Sequence, residues 1–452
     1  MQKLEVYLQS PYFEVPSGAA LLFQYLKKQH PYYDEKKMDP AVMEKKAPAL
    51  GNQKKQANAG SELLKAVEGF LAIEDFWITG NINVHKLKAY KNHHLFDAFN
   101  KEHDHLLNEI NKQFEQGIES FYERHLLTEL GLNGFDVKLN RTIANDVLPV
   151  IKTLDEFYAL KKLRYHCEFL NRHQVLGTPY HEDNIAYVLE VLEPFNNSTY
   201  PYAHLFLNVY KMLKTGSFEE GEKYYKTVQN FIEGAETLSV NLREVINYLV
   251  NYCLFWNSRG YKEAGAVALW GLEMRMRYDE ILEHGKIAPS DFRNIVVLAI
   301  LNAKDPAWIK QFIDGYAQYL PLEQADTNKA FAEAQYFYYT KDFAKAMALF
   351  QQAQVKEEPI FNAIVRRWQF MCMYEENPGN TNLLLDFLDA YEKYLQRNTA
   401  SLHWLKETFT KNIFYSRKLL KATDSTRRIE FKELLSAENY FTGKEWFLHQ
   451  IN

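Results

Sequence analysis

The sequence predicts an all-α protein: an α-solenoid of antiparallel helix pairs, preceded by an N-terminal helical region and closed by a C-terminal helical cap. Three observations carry this expectation. Gly (19) and Pro (14) are scarce among 452 residues, and few turn residues on a long chain favour helices with short connections over many short strands. Apolar residues recur at three- and four-residue spacings, which line one helical face. A spaced quartet of aromatic and small residues then returns down the second half of the chain.

Hydrophobic residues make up 47% and aromatic residues 15%, with 30 Tyr and 30 Phe, enough apolar surface for a continuous core. The formal net charge of −5 exerts no global pull on nucleic acid. Cys167, Cys253 and Cys372 are far apart in apolar segments. An odd, dispersed set argues against a disulfide framework or a Cys-based zinc site and points to a reducing cytoplasm. The opening MQKLEVYLQSPYFEVPSG lacks the apolar stretch of a secretory signal. No run of about 18 apolar residues predicts a membrane span.

Residues 1–80 read as an N-terminal helical segment. Ser17 is the expected cap of a helix Ala19–Gln29, whose face is Leu22, Phe23, Tyr25 and Leu26. His30-Pro31 ends it, because a residue before proline avoids the helical region. The pairs Lys36-Lys37, Lys45-Lys46 and Lys54-Lys55 interleave with Asp34, Glu35, Asp39 and Glu44, the pattern of a solvated surface. A helix Ser61–Phe76 closes the segment.

Residues 81–182 read as a long-helix region. Leu95, Phe99, Leu106, Ile110, Phe114, Ile118 and Phe121 predict one helical stretch over 85–130, terminated by Gly131 and Gly134. A second long helix is expected over Arg141–Gln174, with Pro149 as a kink or as its real start. Gly177-Thr178-Pro179 stops it.

Residues 183–400 read as helical repeats. A helix Asn184–Glu193 precedes Pro194, and Pro201-Tyr202 opens the next. The best quartet is Phe343, Ala346, Phe350 and Ala353, on one face by its spacings of three, four and three. Alternating large and small side chains let a neighbouring helix approach at the alanines while the rings fill beside them. The pattern recurs at Phe218, Gly221, Tyr225, Val228 and at Tyr261, Ala264, Ala268, Gly271. Helices Tyr202–Leu213 and Leu242–Asn257 stand before these two. Fainter copies are Ile309, Phe312, Tyr316, Tyr319 and Leu384, Phe387, Tyr391, Tyr394, so successive copies start 43, 48, 34 and 41 residues apart. A period near 40 is that of stacked helix pairs. Residues 401–452 form the expected cap, with helices at Leu402–Leu420, Arg427–Leu435 and Trp446–Ile451.

At these quartets the chain resembles the tetratricopeptide family of α-solenoids, over residues 183–396. The copy with Ala334, Phe337, Phe343, Ala346, Phe350 and Ala353 matches the family pattern, with Pro359 one place late. The N-terminal Ser10-Pro11-Tyr12-Phe13, Leu22–Leu26 and His30-Pro31-Tyr32-Tyr33 are similar to helical proteins of Bacteroidota. The tetratricopeptide resemblance implies a concave groove lined by first-helix residues that binds peptides. The matching positions here are Tyr210 and Lys214, Cys253 and Asn257, and Gln335 and Tyr339. The family's carboxylate-clamp pattern is not reproduced at them.

His93, His94, His103 and His105 lie near Glu102 and Glu109, and Glu102-x-x-His105 has the spacing of half a di-iron site in a helical bundle. A second Glu-x-x-His is absent from the sequence, and adjacent His93 and His94 point about 100° apart on a helix. No cofactor or metal is therefore expected, and no catalytic signature of the Gly-Lys-Ser/Thr, Gly-x-Ser-x-Gly or His-Glu-x-x-His type occurs. Arg366-Arg367, Arg275 with Arg277, and Arg427-Arg428 are the basic groups that would touch phosphate. No basic residue repeats from copy to copy, as a helical RNA reader requires. Arg366 and Arg367 are expected to pair with acidic neighbours such as Glu375 and Glu376, or to lie along helix surfaces. The function expected is a non-catalytic scaffold or adaptor for a protein or peptide, with an RNA-binding repeat protein and a helical-bundle metalloenzyme at His93–Glu109 as the alternatives.

Overall fold

A computed structural model describes residues 2–79, 82–112, 117–132, 147–198, 200–235, 240–355, 358–402 and 405–451. The expected landmarks Phe114, Gly134 and Arg141 lie outside them. The described chain is all-α apart from one small hairpin. Its contacts group it into two units, coarser than the four sequence segments: Met1–Gln113 with Glu119–Leu154, and Phe114–Ile118 with Asp155–Asn452.

In the first unit, α1 (Gln2–Gln9), α2 (Ser17–Lys27), α3 (Glu35–Met38), α4 (Pro40–Lys46) and α5 (Gln53–Thr79) build one core. Leu8, Ala19, Leu22, Phe23, Leu50, Ala59 and Leu63 fill it. Ser17 is the first helical residue of α2 and makes no capping bond; Pro16 holds the cap position. The buried Tyr25 satisfies its hydroxyl by donating to the Lys37 carbonyl at 2.7 Å. Lys36, Lys45, Lys46, Lys54 and Lys55 are exposed, as a solvated surface requires.

The stretch expected as one helix over 85–130 divides among α6 (Ile82–Asn92), α7 (Phe96–Lys112) and α8 (Ile118–Leu132). The first break falls at His94, whose φ of 58° is left-handed and ends the helical ladder. Val84, Leu87, Phe99 and Leu127 join in one cluster, so each short helix contributes an apolar stripe and the periodicity runs on across the break. Gly131 is helical rather than terminal. The next helix, α9 (Leu148–Leu176), places Pro149 at its second residue, so the proline marks a start and not a kink. Gly177 stops it with a φ of 69°.

The second unit continues with α10 (Ile185–Leu192), α11 (Pro201–Lys214), α12 (Phe218–Glu233), α13 (Val240–Asn257) and α14 (Lys262–Arg277). A hairpin of β1 (Leu282–Glu283) and β2 (Lys286–Ile287) follows, with Leu282 opposite Ile287. No alternating pattern announced it. His284 and Gly285 both take positive φ, 51° and 74°, which is the conformation a two-residue hairpin turn needs. Then come α15 (Pro289–Leu301), α16 (Pro306–Tyr316), α17 (Leu322–Tyr339), α18 (Phe343–Gln352), α19 (Pro359–Glu376), α20 (Thr381–Arg397), α21 (Thr399–Leu402), α22 (Leu405–Lys421), α23 (Ser425–Ala437) and α24 (Lys444–Ile451).

The quartets sit at helix–helix contacts. Phe218, Gly221, Tyr225 and Val228 are all buried on α12, which packs against α11. Ala264, Ala268 and Gly271 are buried on α14 against α13, with Tyr261 at the cap. On α18, Ala346 and Phe350 are buried against α17, Ala353 is buried at the C-cap and Phe343 is half-buried. Leu384 and Tyr391 are buried on α20, with Phe387 and Tyr394 packed on the same cluster. The Ile309 copy is the weakest: α16 ends at Tyr316, and Tyr319 lies on a short turn beyond it. Local caps set the starts. Ser217 accepts from the Glu220 amide, Asp305 from Ala307 and Asp342 from Lys345.

Candidate functional site

A cleft of about 630 Å³ opens where α9, α11 and α13 end, and His173, Gln174, Lys214, Phe255, Trp256 and Arg259 are among its lining residues. Lys214 lies in the last turn of α11, where a cation complements the partial negative charge of the carbonyl end, and Arg259 stands two residues beyond the end of α13. Among the described residues no carboxylate lines the cleft, although the chain carries a net charge of −5.

Arg259 is exposed. Its guanidinium centre stands 3.4 Å from the Phe255 ring centroid, and Nη1 donates to the Phe255 carbonyl at 3.1 Å. Stack and hydrogen bond hold the planar group in one place. Among the described residues no carboxylate stands within ion-pair distance of it. Lys214 pairs with Glu182 and lies 5.0 Å from the Tyr180 ring centroid. Burial, then the neighbouring Tyr210, push the Tyr180 hydroxyl up, so it stays protonated. It meets His166 Nδ1 at 3.0 Å, and burial pulls that imidazole down toward its neutral form.

Two polar atoms on the lining residues are orphaned. Trp256 is only 8% exposed, and its buried Nε1 has no hydrogen-bond partner. The Tyr252 hydroxyl is near enough to feel the indole but outside hydrogen-bond geometry, and it lies 3.2 Å from Thr215 Oγ1. Gln174 Oε1 is also buried and unpartnered. A buried polar atom without a partner costs about 1–3 kcal/mol, and both atoms are closed to solvent.

A second cleft of about 270 Å³ is lined by Glu168, Asn171, Glu244, Asn251, Arg275 and Asp291, among others. Its charges are spent on the fold. Glu244 accepts from Arg164 and from Tyr248, each at 2.6 Å. Arg275, 6% exposed, donates to Asp291 at 2.8 Å. Burial pushes the Asp291 carboxyl up against the opposing pull of Arg275.

Of the six positions the family resemblance nominated, Tyr210, Cys253 and Gln335 are buried. Lys214, Asn257 and Tyr339 retain surface, and Lys214 alone lines the main cleft. Asn257 crowds Gly265, where an added Cβ would lie 2.6 Å from its Oδ1. Tyr339 donates to the Lys304 carbonyl at 3.3 Å. Sequence spacing missed His173, Gln174, Trp256 and Arg259. Their one shared signal was a place at or beside a helix end next to Gly177 or Gly260.

The histidine cluster disperses. His103 Nε2 lies 2.9 Å from the Leu127 carbonyl and its ring stacks on Phe99, while Glu102 pairs with Lys86 at 2.7 Å. Among the described residues no three His, Cys, Asp or Glu side chains are placed to hold a metal ion. The expected pairing of Arg366 and Arg367 with Glu375 and Glu376 is corrected. Arg366 lies over the Tyr394 ring and Arg367 over Trp368, while Glu375 accepts from Trp446 at 2.9 Å. Cys167, Cys253 and Cys372 are buried free thiols, and no described helix is long and apolar enough to cross a membrane.

Comparison with protein-family models, curated proteins and solved structures finds no match to this chain.

Proposed function

We infer that this chain is a non-catalytic adaptor: a tetratricopeptide-like stack of antiparallel helix pairs that holds a segment of another protein. The observation that carries the reading is the cleft at the ends of α9, α11 and α13, with its rings and its two cations. Clefts that combine Trp, Tyr and Arg side chains are the usual anchors of protein contacts. Two of its other polar groups serve the backbone. His173 Nδ1 lies 2.5 Å from the Thr178 carbonyl, and Thr215 Oγ1 donates to the Met212 carbonyl at 2.7 Å. Neither forms the nucleophile–base contact that acyl transfer requires. The quartet helices, each packed on the helix before it, support the stacked-pair arrangement. Three buried free thiols suit a reducing compartment such as the cytoplasm.

Affinity purification of the tagged chain from its native host, with mass spectrometry of what co-purifies, tests the reading. A stoichiometric protein partner is the expected result. Recovery with nucleic acid or bound metal, or measurable turnover, and no protein partner would overturn it.

A further inference from the structure

The cleft at Arg259 borders a place where the chain already seats one of its own segments. Gly260 follows Arg259 directly and lies under the Tyr440 ring, where an added Cβ would fall 2.6 Å from Tyr440 Cδ2. From there the segment is held through its backbone and its rings. The Thr442 carbonyl accepts from Asn412 Nδ2 at 2.9 Å and from Arg367 Nη1 at 3.5 Å. The Trp446 ring packs on Phe370 and Tyr374, and Glu445 pairs with Lys262 at 3.2 Å. The contacts are an arginine and an amide on a main-chain carbonyl, rings on rings, and a lysine on an acidic side chain.

The adjoining cleft offers the same chemistry with no occupant of its own. Arg259 is stacked, fixed and without a carboxylate. The Phe255, Trp256 and Tyr180 rings line it beside Arg259 and Lys214. Nucleobases are less suited. The Phe255 and Tyr180 rings carry Arg259 and Lys214 over them, so both are already engaged where a base would stack.

We propose that this cleft receives an acidic peptide segment of a protein partner, laid beside the chain's own Tyr440–Trp446 segment, with Arg259 as the residue that selects its carboxylate. This rests on the adaptor reading and names the partner's chemistry. The fixed guanidinium pairs the carboxylate in a fork geometry, and the charge-complementary lining excludes basic segments.

The test is a positional-scanning hexapeptide library on the full-length chain, followed by fluorescence anisotropy with the best peptide and its Gln/Asn counterpart. Asp or Glu is expected to be enriched at one position or more, and the neutral counterpart to bind at least ten-fold more weakly. Arg259→Gln should weaken the acidic peptide about ten-fold and leave the neutral one unchanged. Arg259→Lys should recover part of the loss, and Lys214→Gln should cost two- to three-fold. Arg259 is exposed, so an unaltered melting curve shows that each variant folds. Enrichment of Lys or Arg, no enrichment, equal binding by wild type and Arg259→Gln, or displacement of the peptide by oligouridylate would each overturn the proposal. A co-purifying partner retained in full by Arg259→Gln would overturn this site and leave the adaptor reading standing; absence of any protein partner would remove that reading itself.

Discussion

The indole N–H of Trp446 donates to Glu375 Oε1 at 2.9 Å, and this bond ties the last helix to α19. The same oxygen accepts from Tyr338 at 3.3 Å and Gln450 at 2.5 Å, so α17 and α24 converge on one carboxylate of α19. Trp446→Phe keeps most of the ring contact and removes one hydrogen bond to a charged acceptor, worth about 1.5–3 kcal/mol. A matching fall in the denaturant midpoint is expected. A loss under about 0.5 kcal/mol would show that the convergence does not hold the cap.

Gly221 is where α12 meets the Tyr252 side chain. A Cβ built on it would lie 1.8 Å from the tyrosine oxygen, and Tyr252, 0% exposed, has little room to withdraw. Gly221→Ala is expected to destabilise by about 2–3 kcal/mol through overpacking. Adding Tyr252→Phe should return part of that loss, because it deletes the clashing oxygen. Strictly additive single and double variants in thermal melting would contradict the contact.

Quartet positions differ in weight. Phe350 is 0% exposed and stacks with Trp368 at 5.9 Å, whereas Phe343 is half-buried and meets only the edge of Tyr338. Phe350→Ala should cost about 3–5 kcal/mol, and Phe343→Ala about half as much. Equal losses in urea unfolding would show that the quartet is a spacing without a packing role.

Glu438 links α22 to the end of α23. It accepts from the buried Tyr415 at 2.8 Å and pairs with Lys411 at 3.3 Å. The Tyr415 hydrogen bond, then Lys411, holds its carboxyl below the usual glutamate range. The folded chain therefore binds fewer protons here than the unfolded chain. The stabilisation is present above the unfolded value near 4.5 and is lost as pH falls through the lower folded value. The group lies near the surface, so solvent screening keeps the effect below about 1 kcal/mol. Glu438→Gln should flatten the melting temperature between pH 5 and pH 3, to be checked by circular dichroism across that range; an unchanged slope would assign the acid sensitivity to other carboxylates.

Much of the helical framework was legible in the residues because its causes are local. Proline at the first turn starts α11, α16 and α19, and the opening of α11 at Pro201-Tyr202 was read off the chain. The quartets on α12, α14, α18 and α20 identified their buried faces, since burying one stripe requires a three- and four-residue period. The same reasoning merged α6, α7 and α8 into one helix. Three short helices that share a core carry one continuous periodicity, and a left-handed residue such as His94 leaves no mark in it.

Sequence alone determined that the chain is helical and which faces its quartet helices bury, because propensity and periodicity act within a few residues. Tertiary structure decided which helix ends meet. His173, Lys214 and Arg259 belong to three different helix termini, and only packing brings them to one cleft. It likewise assigned Glu375 to Trp446 and left Arg366 and Arg367 over aromatic rings. An ion pair forms with whatever the fold places within a few ångströms, and neighbours in the chain have no special claim to it.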